Sequence, residues 1–413
     1  MVTGHGKKRL LFVFKSVPYP LRADGISVRY LPIIEAVSRG SDIDLFVIDG
    51  RAEKESLLEG LKPYCRKIVH LKTPRRTRHG IFTKCMTYLK FLLPWTPPLS
   101  VVRHGGGAVT RGIIDAARGE HYDTVVLVGG ELLPDLMNAL ASISAGKVFV
   151  DFIDSPYLWA VRKKDELFGI GMLNRYERWK TRRWEADVIR KADGTIYISR
   201  VDADAIPSGD APTTKRHIVP NGINLPDRKD TKRAALPSPN IGFLGTMGYH
   251  PNIEAVEWLY REVFTALRET IPGLTLVVIG RYPSPSIREL GKHPGVIVTG
   301  EVEDIWEYVN AVDIFLFPLL RGAGLKNKIL EAMYAGRPVV TTEIGNEGID
   351  AVPGSQIVLG RTPEDFRRET ARLLGSPEER ARMGKAAHAF VTEKFSWDRI
   401  LSAYGNLLLG DVP

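Results

Sequence analysis

A glycine-containing loop followed by two lysines and a glutamate is the stretch of this sequence best suited to binding chemistry. Residues 321–324 interrupt an apolar pattern, and Lys326, Asn327 and Lys328 follow where a helix is predicted to begin. Free backbone N–H groups, the positive end of the helix dipole and lysine side chains together favour an anion. Glu331 lies further along the same predicted helix, where a carboxylate could bind ribose hydroxyls. The pattern indicates a nucleotide diphosphate site, and an ordinary βαβ unit with a solvated charged turn remains an equal alternative.

Two carboxylates in the first half of the chain form a second candidate. Asp151 and Asp154 follow a predicted strand at residues 147–150, and a proline comes shortly after them. Polar side chains at the carboxyl end of a strand are placed for a cleft. Capping of the next helix by Asp154 or Ser155 would explain the same residues without any chemistry. Both interpretations stay open at this point.

Short apolar runs alternate with helical segments, and this alternation predicts the elements that position these side chains. The run at residues 10–14 precedes a glycine-containing loop and a helix, which is the usual start of a doubly wound α/β domain. Gly25 and Arg29 are therefore predicted to line a cleft at the carboxyl ends of the strands. The loop lacks G-x-G-x-x-G, so a nicotinamide dinucleotide site is not supported.

The alternation restarts near residue 241, after a polar and proline-containing stretch that reads as a linker. Gly245 ends the first strand of this second half, where backbone can approach a phosphate closely. Further strands are predicted at 274–279, 296–299 and 314–317. In the first half, Trp179 and Trp184 are expected to mark the buried side of a long charged helix or helix pair.

Composition narrows the class of protein. The chain has 413 residues with 44% hydrophobic and 25% charged residues, as in an ordinary globular protein of two or three domains. Two cysteines and no spaced histidine pattern make a disulfide framework or a metal site implausible. We found no signal peptide pattern and no apolar stretch near the roughly 20 residues that cross a bilayer. A cytoplasmic location is expected.

The charge of +9 is unevenly distributed. Residues 1–220 hold 35 Lys and Arg against 24 Asp and Glu, and residues 61–114 contain no acidic residue. Within this stretch Arg75, Arg76 and Arg78 precede an aromatic and aliphatic segment, which is typical of an interfacial membrane contact. Residues 62–95 are therefore predicted to contact a membrane surface, and a core helix with a charged lead-in is the alternative. No nucleic-acid-binding motif accompanies the charge, so nucleic acid is not a predicted partner.

The whole chain resembles the glycosyltransferases of the GT-B fold, and most closely the retaining family 4 enzymes of bacterial exopolysaccharide and lipopolysaccharide synthesis. The resemblance rests on the order and spacing of VPNGI, IGFLGTM, LVVIG, VTGEVEDIWEYVNAVDIFLFP and GLKNKILEAMYAGRPVV. The variant GAGLKNKILEAM also looks like a subgroup found beside exosortase-type sorting systems. This implies an α/β fold of two Rossmann-like doubly wound parallel-sheet domains that face a cleft. We expect an N-terminal acceptor-side domain at 1–222, a linker at 223–239, a nucleotide-sugar-binding domain at 240–395, and a helix at 396–413 that crosses back.

The resemblance also implies roles for particular residues. Glu331 matches the glutamate that holds the donor ribose, and the N-terminal loop near Gly25 and Arg29 faces the diphosphate. The implied donor-binding residues are Gly245, Thr246, Arg321, Gly324, Leu325, Lys326, Asn327 and Glu331. The implied base-reading residues are Gly280, Arg281, Glu301 and Val302. No metal and no cofactor are expected, since amides and cationic side chains neutralise the leaving diphosphate in this fold.

Three departures from the family pattern concern the donor. The family usually has a further glutamate where this chain has Ala323, and that residue is associated with the donor sugar. The Arg and Lys usually found after the first strand of the second domain are replaced by Thr246, Tyr249 and His250, and we expect Lys326 to supply the missing charge. Where the family often places a histidine near the anomeric carbon, this chain offers Asp151 and Asp154, with Asp154 preferred as the catalytic polar group.

The sequence therefore predicts a glycosyltransferase at the cytoplasmic face of the membrane. It would move a sugar from a nucleoside diphosphate to a lipid-linked or polysaccharide acceptor, with retention, in bacterial cell-surface polysaccharide synthesis. The alternatives are a non-catalytic degenerate transferase that acts as a sugar-nucleotide-binding scaffold, and a nucleotide-sugar epimerase of the same fold.

Overall fold

A computed structural model provides the architecture of the chain. The residues that it describes are 7–21, 25–48, 52–71, 89, 91–99, 107–129, 137, 140, 142–162, 171–223, 232–321 and 325–410. They form two compact units. Unit 1 comprises Met1–Pro220 and Asp398–Pro413, and unit 2 comprises Asn221–Trp397. The predicted linker 223–239 thus lies inside unit 2, and the end of the chain belongs to unit 1.

Unit 1 is built on a seven-stranded parallel sheet with the order β3-β2-β1-β4-β5-β6-β7. Its central strands end in continuous buried apolar runs, such as residues 10–14 in Lys8–Phe14 and 125–128 in His121–Val128, because helices cover both faces of such a sheet. The strands are β1 Lys8–Phe14, β2 Ser41–Ile48, β3 Lys67–Leu71, β4 His121–Val128, β5 Ser144–Ile153, β6 Gly194–Tyr197 and β7 Arg216–Ile218.

The helices of unit 1 follow the strands in alternation. They are Gly25–Ser38, Gly107–Ala117, Pro156–Arg162, Gly171–Lys191, Arg200–Ala203 and the C-terminal helix Trp397–Leu409, with 3-10 segments at Ala52–Leu61 and Thr213–Lys215. The C-terminal helix packs against this unit, where Thr124 Oγ1 donates to the backbone carbonyl oxygen of Leu408 at 2.9 Å. No helix in the described ranges is long and apolar enough to cross a membrane.

Unit 2 repeats the same topology with six parallel strands in the order β10-β9-β8-β11-β12-β13. In both units the order corresponds to 3-2-1-4-5-6, and it reverses between the first and fourth strands of the unit. The strands are β8 Asn240–Leu244, β9 Thr275–Ile279, β10 Val296–Val298, β11 Ile314–Phe317, β12 Val339–Thr341 and β13 Val358–Leu359.

The helices of unit 2 are His250–Trp258, Thr265–Thr270, Pro285–Leu290, Ile305–Val309, Asn327–Tyr334, Glu343–Asn346, Pro363–Gly375 and Pro377–Phe395, with a π-helical segment at Leu259–Phe264. The two ends of this unit lie side by side. Ile223 N donates to the carbonyl oxygen of Phe395 at 3.1 Å. A Cβ added to Gly222 would lie 2.4 Å from the Trp397 ring, so glycine permits this contact.

One prediction about side-chain burial is wrong. Trp184 packs into the core of unit 1, where its ring meets that of Phe152 at 6.0 Å. Trp179 is instead 43% exposed and stacks on the ring of Tyr176. Residues five apart on an α-helix lie on different faces, so both tryptophans could not face one core.

Candidate functional site

The carboxyl ends of β8, β9 and β10 form one closely packed edge of unit 2. Gly245 N donates to the carbonyl oxygen of Ile279 at 3.0 Å, and Met247 N donates to that of Arg281 at 2.9 Å. Gly280 has φ of 146°, and a Cβ added there would lie 1.8 Å from the Gly245 carbonyl oxygen. Only glycine fits this position, so the loops after β8 and β9 meet backbone to backbone.

The predicted base-reading residues lie on this edge. Gly280 and Arg281 directly follow β9, and the Arg281 guanidinium lies 5.3 Å from the ring centre of the exposed Tyr282. Glu301 and Val302 follow the neighbouring strand β10, with Glu301 exposed and Val302 half-buried. The structure therefore places these four residues along one end of one sheet.

The helix Asn327–Tyr334 begins beyond β11, on the other side of the point where the strand order reverses. Its N-cap residue is Lys326, whose side chain does not cap the first turn. Leu325 and Ile329 are buried and anchor the helix to the sheet. Asn327 Oδ1 is buried with no hydrogen-bond partner in the described parts of the chain, which is unusual for an amide oxygen. Glu331 is half-buried within the helix, and the predicted Gly324 lies outside the described residues.

The sequence places Lys328 in the candidate anion site, but the resemblance implied no donor-binding role for it. Its Nζ donates to Asn252 Oδ1 at 2.5 Å and lies 4.9 Å from the ring centre of Phe243 and 5.9 Å from that of Phe317. Burial, followed by the positive charge of Lys326, lowers the pKa of Lys328 to about 7. The sequence shows two lysines, Lys326 and Lys328, near the predicted start of the helix, but it does not show the direction in which each side chain points.

Two further predicted donor residues have partners of their own. The Arg321 guanidinium forms an ion pair with the Glu254 carboxylate on helix His250–Trp258. The Glu254 carboxylate therefore neutralises part of the positive charge of Arg321 that we expected to act on a ligand. Thr246 is exposed, and its carbonyl oxygen accepts from Asn252 Nδ2 at 2.9 Å. Asn252 therefore links the loop after β8 to Lys328.

In unit 1, Arg29 and Asp151 form a fully buried ion pair instead of lining an open cleft. Neither residue has exposed surface, and Arg29 Nη2 lies 3.1 Å from Asp151 Oδ2. Arg29 Nη1 also donates to the carbonyl oxygen of Val219 at 3.0 Å, and the Tyr404 hydroxyl donates to Asp151 Oδ2 at 3.0 Å. Although burial by itself would lower the pKa of Arg29, the neighbouring Asp151 carboxylate raises it above its ordinary value. This geometry corrects the expectation that the side chains of Arg29 and Asp151 meet a substrate. Of the two residues predicted for the N-terminal loop, Gly25 is exposed and Arg29 is buried.

The ion pair holds a strained turn just before Asp154. Ile153 has φ of 67°, which is strained for a β-branched residue, and its N–H donates to Asp151 Oδ1 at 3.0 Å. Such strain persists only where the surroundings enforce it, and it clusters at functional sites. Asp154 follows this turn at the carboxyl end of β5 and is half-buried. The next helix is capped by Ser155, whose Oγ accepts from Leu158 N at 3.1 Å, so Asp154 is not the cap.

A second buried carboxylate, Glu185, binds the residues that follow Asp154 in the chain. It accepts from Ser155 Oγ at 3.0 Å, from Tyr157 N at 2.8 Å and from the Tyr197 hydroxyl at 3.1 Å. Burial raises the pKa of Glu185 to about 7, against the lowering effect of these hydrogen bonds. Ser155 and the start of helix Pro156–Arg162 are thus hydrogen-bonded to a carboxyl group whose pKa is raised to about 7.

This raised pKa predicts a pH-dependent stability of unit 1. A folded-state pKa above the ordinary 4.5 means that the folded state binds the proton of Glu185 more tightly than the unfolded state does. Protonated Glu185 therefore adds to the free energy of unfolding below about pH 4.5, and this addition is lost as pH rises through about 7. The full effect is about 3 kcal/mol at 1.36 kcal/mol per pKa unit. Glu185→Gln should therefore flatten the decrease in melting temperature between pH 5 and 8, as measured by calorimetry. An unchanged pH profile in this variant would contradict the assignment.

Within the described ranges, no group of three His, Cys, Asp or Glu side chains is arranged to hold a metal ion. The cationic and N–H groups at the carboxyl end of the unit 2 sheet are suited to an anion instead.

Comparison with known proteins gives three informative similarities besides a family match. Residues 238–376 match the family model "Glycosyl transferases group 1". An uncharacterized 44.6 kDa protein in the cps region of Klebsiella pneumoniae is 20% identical, covering 96% of this chain and 98% of that protein. Sucrose-phosphate synthase from Thermosynechococcus elongatus aligns with a TM-score of 0.70 at 16% identity, over 97% of this chain and 98% of that one. HepE of Anabaena, in complex with UDP, aligns with a TM-score of 0.61 at 14% identity, over 98% and 100%.

These similarities agree with the strand orders of the two sheets. The structural likeness extends over nearly the whole chain and shows the fold, while the family match covers the strands and helices that carry Gly245, Lys328 and Glu331. Residues 238–376 thus resemble the group 1 glycosyl transferases, and the chain has the GT-B fold and the enzyme class of a glycosyltransferase.

Proposed function

We propose that this glycosyltransferase moves a sugar from a nucleoside diphosphate donor to a lipid-linked or polysaccharide acceptor in the assembly of bacterial cell-surface polysaccharide. The observation that carries the proposal is the carboxyl end of the unit 2 sheet at its topological switch point. There the backbone of Gly245 and Gly280, the start of helix Asn327–Tyr334 and the half-buried Lys328 lie within the residues that match the family model. Ligands of doubly wound sheets bind at this place.

The donor side follows from the chemistry of these groups. Helix N-terminal N–H groups and lysines favour a diphosphate. We propose that Glu331, further along the same helix, accepts hydrogen bonds from ribose hydroxyls, as the resemblance implies. The same cationic groups would stabilise the leaving diphosphate, so we propose that no metal and no further cofactor takes part. The UDP in the HepE complex supports a nucleoside diphosphate as the leaving group.

Our proposals for the acceptor and for the stereochemistry of transfer rest on the resemblance to other proteins. The Klebsiella relative comes from a cps region, which supports a polysaccharide product. We propose membership of the retaining family 4 and, with it, retention at the anomeric carbon. The half-buried Asp154, which follows the strained Ile153, is the proposed polar group near the reacting carbon.

A donor screen tests this function. The chain is heated with UDP-glucose, GDP-mannose and ADP-glucose, and the correct donor should raise the melting temperature with the logarithm of its concentration. Nucleotide diphosphate release in the presence of lipid extract should then follow. Binding without any release would favour the scaffold alternative, and conversion of the sugar without an acceptor would favour the epimerase.

We also propose that unit 1 lies on the cytoplasmic membrane surface through residues 62–95. The basic Arg75, Arg76 and Arg78 lie outside the described residues, but residues 91–95 are described and several of their apolar side chains are exposed. Lys180 Nζ donates to the carbonyl oxygens of Phe91 and Leu93 at 2.6 and 2.9 Å, which holds the backbone in place. The side chains that it leaves exposed include Leu92, Leu93 and Trp95.

Replacement of Trp95 should weaken vesicle binding. This side chain is 76% exposed, and insertion of a large apolar side chain at an interface contributes about 1.5–3 kcal/mol. Trp95→Ser is therefore expected to lower partitioning onto anionic phospholipid vesicles by about tenfold or more, measured by co-sedimentation. Val352→Ser, which removes an exposed apolar group from unit 2, is the control and should leave partitioning unchanged. Equal losses in both variants would contradict a specific contact at Trp95.

A further inference from the structure

We propose that Lys328 is the cation that meets the donor diphosphate, and that donor binding drives uptake of one proton from solvent by its amine. This inference rests on the proposed function of the unit 2 site. It differs from the expectation drawn from the sequence, in which Lys326 supplies the charge missing from the loop after β8.

Lys328 lies at the point where the strand order of unit 2 reverses. Phe243 belongs to β8 and Phe317 ends β11, and these two strands are neighbours in the sheet. The amine stands 4.9 Å and 5.9 Å from the centres of their rings. It is therefore positioned over the switch point at which ligands of this topology bind.

A polar connection joins Lys328 to the loop after β8. Its Nζ donates to Asn252 Oδ1, and Asn252 Nδ2 donates to the carbonyl oxygen of Thr246. The Gly245–Thr246 loop is the one at which the resemblance places the phosphate. Lys328 of helix Asn327–Tyr334 is thus connected through Asn252 to the loop after β8, whose own sequence lacks Arg and Lys.

The surroundings of the amine penalise its positive charge. The charged or titratable side chains on the elements around it are Lys326 before its helix, Glu331 within it, the Arg321–Glu254 ion pair and His250. Of these charges, that of Lys326 is the one that lowers the pKa of Lys328, in addition to the larger effect of burial. Within the described ranges Lys328 has no ion pair with a carboxylate. Two rings and one amide oxygen stabilise the cation less than a carboxylate would.

These surroundings make protonation depend on the ligand. Burial and Lys326 lower the pKa of Lys328 to about 7, from an ordinary 10.5. Between these two values the amine of the folded chain without ligand is neutral. A diphosphate beside it favours the charged form and restores the higher pKa, so binding in this pH range takes up a proton. Donor affinity should then fall by about tenfold for each pH unit above 7 until the pKa of the complex is reached.

Isothermal titration calorimetry tests this inference with UDP-glucose, GDP-mannose and ADP-glucose. The diester diphosphates of these probes do not titrate near neutral pH, so any proton exchanged belongs to the protein. At about pH 8, titration in buffers of different ionisation enthalpy should show uptake of about 0.9 proton per donor by the wild type.

Three variants separate the roles of the two lysines. Lys328→Met should abolish proton uptake and weaken binding at about pH 6, where the wild-type amine is charged. Lys328→Arg should retain binding without proton uptake, because arginine stays charged at every pH used. Lys326→Ala should weaken binding but keep most of the proton uptake, because burial, the larger cause of the lowered pKa of Lys328, is unchanged.

Two results would overturn the inference in different ways. Donor binding by the wild type without proton uptake, or undiminished uptake in Lys328→Arg, would refute the role of Lys328 while the donor function stands. If none of the three nucleotide sugars bound the wild type, the proposed donor function would be refuted together with this inference.

Discussion

Glu331→Gln is expected to lower kcat/KM for the donor by about 10- to 100-fold without unfolding the chain. A hydrogen bond between a charged carboxylate and a neutral hydroxyl contributes about 1.5–3 kcal/mol, and each 1.4 kcal/mol is a factor of ten. Glutamine keeps the size of the side chain but replaces the charged acceptor with a weaker one. Glu331 lies in the middle of helix Asn327–Tyr334, and its backbone carbonyl oxygen accepts from Ala335 N at 3.0 Å, a hydrogen bond that does not depend on the side chain.

The measurement is donor-dependent nucleotide release, combined with circular dichroism to show that the helix content is retained. Glu289→Gln is the control, because Glu289 is exposed on another helix of unit 2, where it forms an ion pair with Lys292 one turn away. A normal kcat/KM in Glu331→Gln would remove this residue from the donor site. A similar loss in both variants would indicate a general effect of lost negative charge on unit 2.

Asp151→Ala is expected to destabilise unit 1 by about 3–5 kcal/mol, because it leaves the charge of Arg29 buried without its partner. The Tyr404 hydroxyl loses its acceptor at the same time, which loosens the C-terminal helix. For a unit of this size, each kcal/mol corresponds to about 2–4 °C in melting temperature, so a decrease of roughly 6–20 °C should appear by calorimetry. Because the chain has two units, the decrease should affect the transition of unit 1.

Two control variants separate the buried pair from lesser interactions. Tyr404→Phe keeps the ring and removes one hydrogen bond, so about 1 kcal/mol is expected. Asp115→Ala breaks an exposed pair with Arg118 on helix Gly107–Ala117 and should cost less than about 1 kcal/mol. If Asp151→Ala melted like Asp115→Ala, the Arg29–Asp151 pair would not be the structural element that we infer.

The Asp151 variant also bears on catalysis. Asp151 has no exposed surface, and it holds the N–H of the strained Ile153. Its effect on turnover should therefore act through the position of Asp154, which follows that turn. Activity measured well below the melting transition of Asp151→Ala distinguishes this positioning role from simple unfolding.

Much of the fold could be predicted because buried parallel strands require continuous apolar runs. The strand Ile314–Phe317 has the predicted bounds, and the doubly wound α/β class of both sheets is confirmed. The strands Arg216–Ile218 and Val358–Leu359 were not predicted. Both are short edge strands, and neither has the apolar length that marks a central strand.

The candidate site could be predicted only in part. Gly245, Gly280 and helix Asn327–Tyr334 were visible as breaks and starts in local patterns, so their approximate places follow from the sequence. The burial of Arg29 depends on Asp151 and Tyr404, which come from a different strand and from the C-terminal helix. No local pattern reports a pairing over such separations.

The sequence by itself determined the alternation of strands and helices, the glycine positions and the helix that carries lysines and Glu331, because these depend on neighbours along the chain. Only the tertiary structure decided which charges are buried, which are paired and which lysine faces the switch point. Arg29 meets Asp151, and Lys328 meets the rings of Phe243 and Phe317, through the packing of elements that are distant in the chain. Desolvation and Coulomb energies depend on those through-space distances, so they appear only once the units have folded.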